Sequence, residues 1–319
     1  MSQNITPNAL DRVEILTLQD NYIEITAMDN NEIIRRASAL AGGQLNNSIQ
    51  AEHGYSAIVK TTKDGRTRTL LFDFGFSEEG AAYNARLLNV DPKAIEQMAL
   101  SHGHMDHFGG FHEIVKMIGK KGIELVVHPR AFKQNRYLRF GETLKAHFPK
   151  FTKSEVEKAG VKVIETADPY PLLDGDVLFL GEIKRKTDFE KGFPIAFFEK
   201  EGVEAWDPIE DDTAIAMQVK GRGLVVLSGC AHSGIVNTVT HAQEVTGISD
   251  VYVVMGGFHL SGPMFEPIIG RTTEELKKIN PTYVIPCHCT GRKAIMHMEK
   301  EMPENFLLNM SGTTLTFSA

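Results

Sequence analysis

Residues 101–110 read Ser-His-Gly-His-Met-Asp-His-Phe-Gly-Gly, SHGHMDHFGG, and they decide how the rest of the chain is read. The apolar stretch IEQMAL (95–100) precedes them, so the chain leaves a strand as the motif begins. His102 and His104 are two apart in an extended loop. Period-two geometry turns both imidazoles to one side, where both can reach one metal ion. Asp106 and His107 open a helix and project toward a neighbouring point. They could hold a second metal about 3.5–4 Å away, the spacing of two-metal hydrolytic sites. Gly109 and Gly110 let the backbone pass closely under the site. A single HxH also occurs in solvated polar loops. Here four ligand-type residues converge between a strand and Gly-Gly, which is the pattern of a metal centre. His112 completes a run of four histidines but lies one helical turn too far on to join it.

Outward from the motif, apolar runs of strand length recur. They include VEILTL (13–18), YSAIVKT (55–61), TLLFDF (69–74), GLVVLSG (223–229), VYVVMGG (251–257), TYVIPCH (282–288) and TLTFS (314–318). They are rich in β-branched residues and bounded by Gly, Pro or His, as buried strands are. Helical patterns lie between them. Asp91-Pro92 supplies an N-cap and a first-turn proline, residues 107–118 are amphipathic, and 234–246 and 292–301 are further helices. Ser154-x-x-Glu157 and Thr272-x-x-Glu275 read as capping boxes. Strands come first as a meander, then alternate with helices. That order predicts an α/β (α+β) chain folded as an αββα layered sandwich rather than a doubly wound parallel sheet. One domain over 1–319 is expected, with an insertion or subdomain at about 128–210 covering one end.

Composition narrows the function class. The 319 residues are 42% hydrophobic and 24% charged, which excludes wholesale disorder. The net charge of -7, with no basic stretch, argues against general nucleic-acid binding. No window approaches the roughly 18–20 consecutive apolar residues of a membrane helix, so no membrane partner is expected. The N-terminus shows no secretory pattern, and three cysteines make no disulfide framework. A cytoplasmic chain is expected. Its oligomeric state is not legible.

SHGHMDHFGG resembles the metal motif of the metallo-β-lactamase-fold superfamily. Further segments are similar to one branch of it, the 7,8-dihydropterin-6-ylmethyl-4-(β-D-ribofuranosyl)aminobenzene 5′-phosphate synthases. They are DNYIEI (20–25), AEHGYSAIV (51–59), LLFDFG (70–75), YNARLLNVD (83–91), GEIKRKTDFE (181–190), LSGCAHSGIVN (227–237), VMGGFHL (254–260) and IPCHCTGRKA (285–294). The resemblance runs over nearly the whole chain. It implies an αββα metallo-β-lactamase sandwich with a metal site at one edge, between the sheets. It also implies that later ligands come from strand ends. His232, His259 and His288 all follow apolar strands. By the resemblance, His232 completes the first metal with His102 and His104, and His288 is the last ligand of the second. The superfamily commonly places a bridging Asp where this chain has Cys230. That departure leaves Cys230 either a thiolate ligand or a small packed residue.

Other candidates are read from their settings. His259 is either a packed histidine or a substrate-facing acid, and Asp106 can orient or deprotonate water while holding metal. Asp73 in LLFDFG supports the metal loop by hydrogen bonding, or is a plain turn residue. Asp20 and Asn21 read as turn-capping residues. Glu52 and His53 either line the site or lie in an exposed loop. Glu182, Lys184, Arg185 and Lys186 form a charged cluster suited to an anionic substrate, or a solvated face. Alternation about His288 sends Cys287 and Cys289 into packing. The function expected is a metal-dependent hydrolase acting on an anionic, phosphate-bearing small molecule through a metal-bound hydroxide. Its metal is one or two Zn ions, with Fe or Mn as alternatives. Two other readings stand beside it: a transferase of the synthase type, and a metal-containing binding or regulatory protein without efficient turnover.

Overall fold

The computed structural model describes residues 4–319. Two large sheets face each other. One has eight strands, in the order Lys162–Glu165, Glu124–Val127, Gln97–Ala99, Arg66–Phe72, Ser56–Lys63, Arg12–Gln19, Thr314–Ser318 and Ile34–Arg35. The other runs Tyr170–Leu172, Val177–Phe179, Ala214–Val219, Gly223–Ser228, Val251–Gly257 and Tyr283–Cys287, with Ala9–Leu10 beside Ala214–Val219.

Side-chain alternation along these strands builds three apolar layers. Ala57, Val59, Leu70 and Phe72 from the first sheet meet Ile215, Met217, Val225, Leu227, Val253 and Met255 from the second, forming the central layer. The intervening Ile58 and Leu71 point the other way, against Ala81, Ala85, Ile114 and Ile118 on helices Gly80–Leu87 and Phe111–Ile118. Ala214, Ala216, Val226 and Val254 likewise face helices Ile235–Thr246, Ile269–Ile279 and Arg292–Glu301. A sheet buried on both faces needs strands apolar throughout, which is why these runs barely alternate in the sequence. The result is the αββα sandwich.

Two sets of parallel strands fix where a site can form. Arg66–Phe72, Gln97–Ala99 and Glu124–Val127 run parallel in the first sheet. Gly223–Ser228, Val251–Gly257 and Tyr283–Cys287 run parallel in the second. Parallel strands end side by side, and the backbone bond from Thr213 N to Ser101 O (3.0 Å) draws the two sets together at one edge.

Several local features differ from the sequence expectations. Asp91 caps a single 3₁₀ turn, Pro92–Ala94, rather than an α-helix, because Ile95 is already extended. Residues 107–118 divide into Met105–Phe108 and Phe111–Ile118, since two glycines separate them. The capping box is formed by Thr152 and Glu155, two residues earlier than expected. Thr272 lies inside helix Ile269–Ile279, where its neighbour Thr273 donates to the Ile269 carbonyl. Within 128–210, Arg136–Phe140, Leu144–His147, Ala196–Lys200 and Val203–Trp206 form a separate four-stranded sheet. The strands between them, over 162–179, extend the two main sheets. Among the described residues, no helix is long and apolar enough to cross a membrane.

Candidate metal centre

His104 is the extended residue (φ -98, ψ 149) that caps the short helix Met105–Phe108, so the motif does pass from strand to loop to helix. The rings of His102 and His104 lie 4.5 Å apart, and His232 closes the group with its ring 4.8 Å from each. Ligand atoms of these three histidines all fall within 4.8 Å of one another. A second group joins Asp106, His107, Cys230 and His288 within the same limit. His288 Nε2 is 3.3 Å from the Asp106 carboxylate, and His107 Nε2 is 3.1 Å from the Cys230 sulfur. All seven residues are buried.

Asp73 sets which nitrogens are free. It has left-handed backbone (φ 60) where strand Arg66–Phe72 ends, which turns its carboxylate back under the motif. One oxygen accepts from Ser101 N (2.7 Å). The other accepts from the Ser101 hydroxyl (2.7 Å) and faces His107 Nδ1 (2.6 Å). A carboxylate only accepts, so His107 carries its proton on Nδ1 and presents a lone pair at Nε2. The Ser101 hydroxyl has spent its one proton on Asp73. His102 Nδ1, 3.0 Å away, therefore donates to Ser101 Oγ, and His102 Nε2 is also a bare lone pair.

That gathers imidazole nitrogens at one buried point. His102 Nε2 and His232 Nε2 lie 3.2 Å apart. The buried His104 Nε2 and His288 Nδ1 have no hydrogen-bond partner. Two ligands at 2.0–2.1 Å on one tetrahedral ion sit about 3.3 Å apart, so the His102–His232 spacing fits a shared cation. Burial and neighbouring histidines hold His102 and His232 well below the usual imidazole range. Burial, then the Arg136 charge, takes His104 down to about 3. All three are thus in the neutral form that binds metal. Burial would raise the Asp106 carboxyl, but His107 and His288 hold it well below its ordinary value. For His288, burial is outweighed by Cys289, by the Asp106 hydrogen bond and by Asp20, which together raise it to about 9.

The model of the metallo-β-lactamase superfamily matches residues 52–236. The chain belongs to the metallo-β-lactamase superfamily. It is 35% identical over 298 residues to the 7,8-dihydropterin-6-methyl-4-(β-D-ribofuranosyl)-aminobenzene-5′-phosphate synthase of Methanocaldococcus jannaschii, covering 92% of this chain and 99% of that one. An uncharacterised protein of the same organism is 29% identical, over 78% of this chain and 88% of its own length. Among solved structures, a metal-dependent hydrolase of the β-lactamase superfamily superposes with a TM-score of 0.71 at 23% identity, covering 96% of this chain and 100% of that one. The metallo-β-lactamase-fold protein YhfI of Bacillus subtilis gives 0.52 at 12% identity, with the same coverage. These structures share the αββα fold.

Against this superfamily frame, the remaining candidates separate. His53 is 61% exposed, stands with its ring 4.9 Å from His288, and brings Nε2 within 3.6 Å of Asp106. Glu52 instead binds Gln19 and Ser77 (2.6 and 2.7 Å) and supports the loop. His259 lines a cavity of about 480 Å³ together with His232, Phe189, Trp206, Phe258 and Phe265. The charged cluster does not line that cavity. Ile183 is buried in the outer apolar layer, so its neighbours Glu182 and Lys184 turn to solvent. Glu182 lies 3.7 Å from His128, and Lys186 pairs with Glu244. Arg185 is committed to the backbone, donating to the carbonyls of Pro208 (2.6 Å) and His232 (3.3 Å). Of the lining residues only Lys191 is cationic.

Cys287 packs into the central layer, as alternation predicts. Cys289 does not face away. His288 has left-handed backbone (φ 48), which ends the strand's alternation and carries the Cys289 sulfur toward Cys230 and His259. Asp20 and Asn21 do more than cap a turn. Asp20 accepts from His288 N (2.8 Å), and Asn21 donates to the His288 carbonyl (3.0 Å), so together they hold the turn that aims His288. His112 is exposed on helix Phe111–Ile118.

Sequence reasoning missed the clamps on the two histidine loops. Asp211 accepts from Gly103 N (2.7 Å) between His102 and His104, and is paired with the buried Arg136. Asp212 accepts from His232 N (2.9 Å) and Ser233 N (2.8 Å). Two adjacent acids opening the buried strand TAIAMQV were the available signal, because buried carboxylates need donors.

Proposed function

We propose that this chain is a divalent-metal-dependent hydrolase acting on a small, anionic, phosphate-bearing molecule. The carrying observation is the His102 and His232 Nε2 atoms 3.2 Å apart beside the unpartnered His104 Nε2, all buried. A cation gives the buried, unpartnered nitrogens of this group a partner, which in a medium of low dielectric they otherwise lack. In this reading His102, His104 and His232 hold one ion, and Asp106, His107, His288 and Cys230 hold another. The histidine-rich set favours zinc, and the carboxylate also accommodates iron or manganese. A bound divalent ion supplies Lewis acidity and lowers the pKa of water.

The residues of the chain do the rest. Asp106, held ionised, orients the attacking water and accepts its proton. His53 flanks it at the mouth. His259 stands on the cavity wall and faces the substrate. Rings of Phe189, Trp206, Phe258 and Phe265 exclude water and hold a flat, apolar portion of the substrate, while Lys191 meets its charge. The buried, unbridged cysteines suit a reducing cytoplasm.

The second reading is a transferase like the synthase that is 35% identical. Turnover of phosphodiesters and lactones, measured beside formation of a dihydropterin-linked ribosylaminobenzene phosphate, separates the two. Hydrolysis lost in His104→Ala, with metal content reduced, is the expected result. Product formed only in the condensation assay supports the transferase. A metal-free protein, or an unaffected His104→Ala, overturns both. Saturable binding without turnover in any assay favours a binding protein.

A further inference from the structure

Cys230, His259 and Cys289 stand at the ends of three neighbouring parallel strands, Gly223–Ser228, Val251–Gly257 and Tyr283–Cys287. Just past each strand a non-glycine residue takes left-handed backbone: Ala231 (φ 49), His259 (φ 47) and His288 (φ 48). Such backbone is strained for a residue with a side chain, and the strain persists only where the surroundings enforce it. Here it turns the two sulfurs and the imidazole toward one point, so that their ligand atoms lie within 4.8 Å of one another. Gly257 makes room. A Cβ there would come within 2.6 Å of the Cys289 sulfur and 3.2 Å of Cys230 Cα. The Phe258 amide donates to Thr290 Oγ1 (2.9 Å) and ties the second turn to the third. His259 Nδ1 is buried and has no hydrogen-bond partner.

We propose that Cys230, His259 and Cys289 form a third metal site for a soft divalent cation, sharing Cys230 with the group of Asp106, His107 and His288. Two sulfurs and one imidazole are a donor set for zinc or iron, and a poor one for magnesium or calcium. Ligands at 2.3 Å (sulfur) and 2.0–2.1 Å (nitrogen) about a tetrahedral ion lie roughly 3.3–3.8 Å apart. Shifts of about an ångström bring the three atoms there. Binding holds both sulfurs as thiolates, the Cys230 proton passing to solvent, and involves no change of oxidation state. His259 also lines the cavity of about 480 Å³, which puts the site at the edge of the substrate space. The site is independent of whether the reaction is hydrolysis or transfer.

The test loads the full-length, metal-free chain with cobalt(II). Bound cobalt is counted by plasma mass spectrometry, and the near-ultraviolet sulfur-to-cobalt charge-transfer band is recorded. The wild type should bind three equivalents. Cys289→Ala and His259→Gln should each bind one fewer, with the band falling by more than half in Cys289→Ala. The equivalents retained report that the fold and the other sites survive. Wild-type binding that saturates at two or fewer overturns the proposal without any variant. So does an unchanged count and band in both variants, or a Cys230–Cys289 disulfide found by peptide mass spectrometry in protein prepared without reductant.

Discussion

Replacing Asp73 by asparagine tests how the centre is held. Asparagine is nearly isosteric and tolerates the left-handed backbone at this position (φ 60), so the substitution changes chemistry rather than shape. The oxygen facing Ser101 N is kept. The other oxygen, which takes the Ser101 hydroxyl and His107 Nδ1 at 2.7 and 2.6 Å, becomes an NH₂ group that can only donate. His107 is then driven to the opposite tautomer, with its proton on Nε2, where Cys230 lies 3.1 Å away and the ligand lone pair was. Losing one charge-assisted hydrogen bond costs about 1.5–3 kcal/mol, or roughly 10- to 150-fold in an equilibrium constant. Measured supporting residues of metal-bound histidines fall in a similar range, about 10–100-fold. The assay is competition with a chromophoric chelator. The expected result is a tenfold or greater loss of affinity at the ion held by His107. A smaller loss is expected at the ion held by His102, which Asp73 reaches only through Ser101. Affinities unchanged within twofold in a folded Asp73→Asn would refute the tautomer argument.

Three further outcomes follow from the same geometry. The chelator-treated protein should lose stability in acid. His104 is depressed from 6.5 to about 3, so unfolding gains protons that the native state refuses. Its contribution is complete above pH 6.5 and is lost as pH falls toward 3, at up to about 1.4 kcal/mol per unit, with His102 and His232 shifted in the same direction. A urea midpoint no lower at pH 4.5 than at pH 7 contradicts this. Arg136→Met strands the buried Asp211 carboxylate, while Asp207 keeps Lys133, and should cost about 3–5 kcal/mol by denaturant titration, with metal affinity falling as the Gly103 loop loosens. Gly109→Ala drives a Cβ into the backbone carbonyl of Phe76 and should cost about 2 kcal/mol or more, whereas Gly270→Ala, which meets open space, should be nearly neutral in thermal melts.

Local pattern carried most of the fold. Strand runs and helix periods predict two sheets with helices outside, because each element's burial is written in its own residues. Element ends were less legible. Asp91 starts only one turn and the capping box sits at Thr152, since backbone geometry and tertiary contacts decide where a helix begins. The charge cluster at 182–186 read either as a binding patch or as a solvated face. Ile183 in the outer apolar layer turns Glu182 and Lys184 to solvent, while Arg185 binds the Pro208 and His232 carbonyls.

At the centre the division is sharper. The sequence by itself placed His102, His104, Asp106 and His107 together, because the strand–loop–helix pattern converges ligands within six residues. Through its resemblance to the superfamily it also marked the strand ends where His232 and His288 would be found. Tertiary structure alone decided that Arg136 and Asp211 brace Gly103, that Asp20 and Asn21 aim His288, and that Cys289 turns inward. These depend on residues far apart in the chain and on single left-handed backbone positions. No local period records such contacts, since they arise only when the ends of two sets of parallel strands are packed against each other.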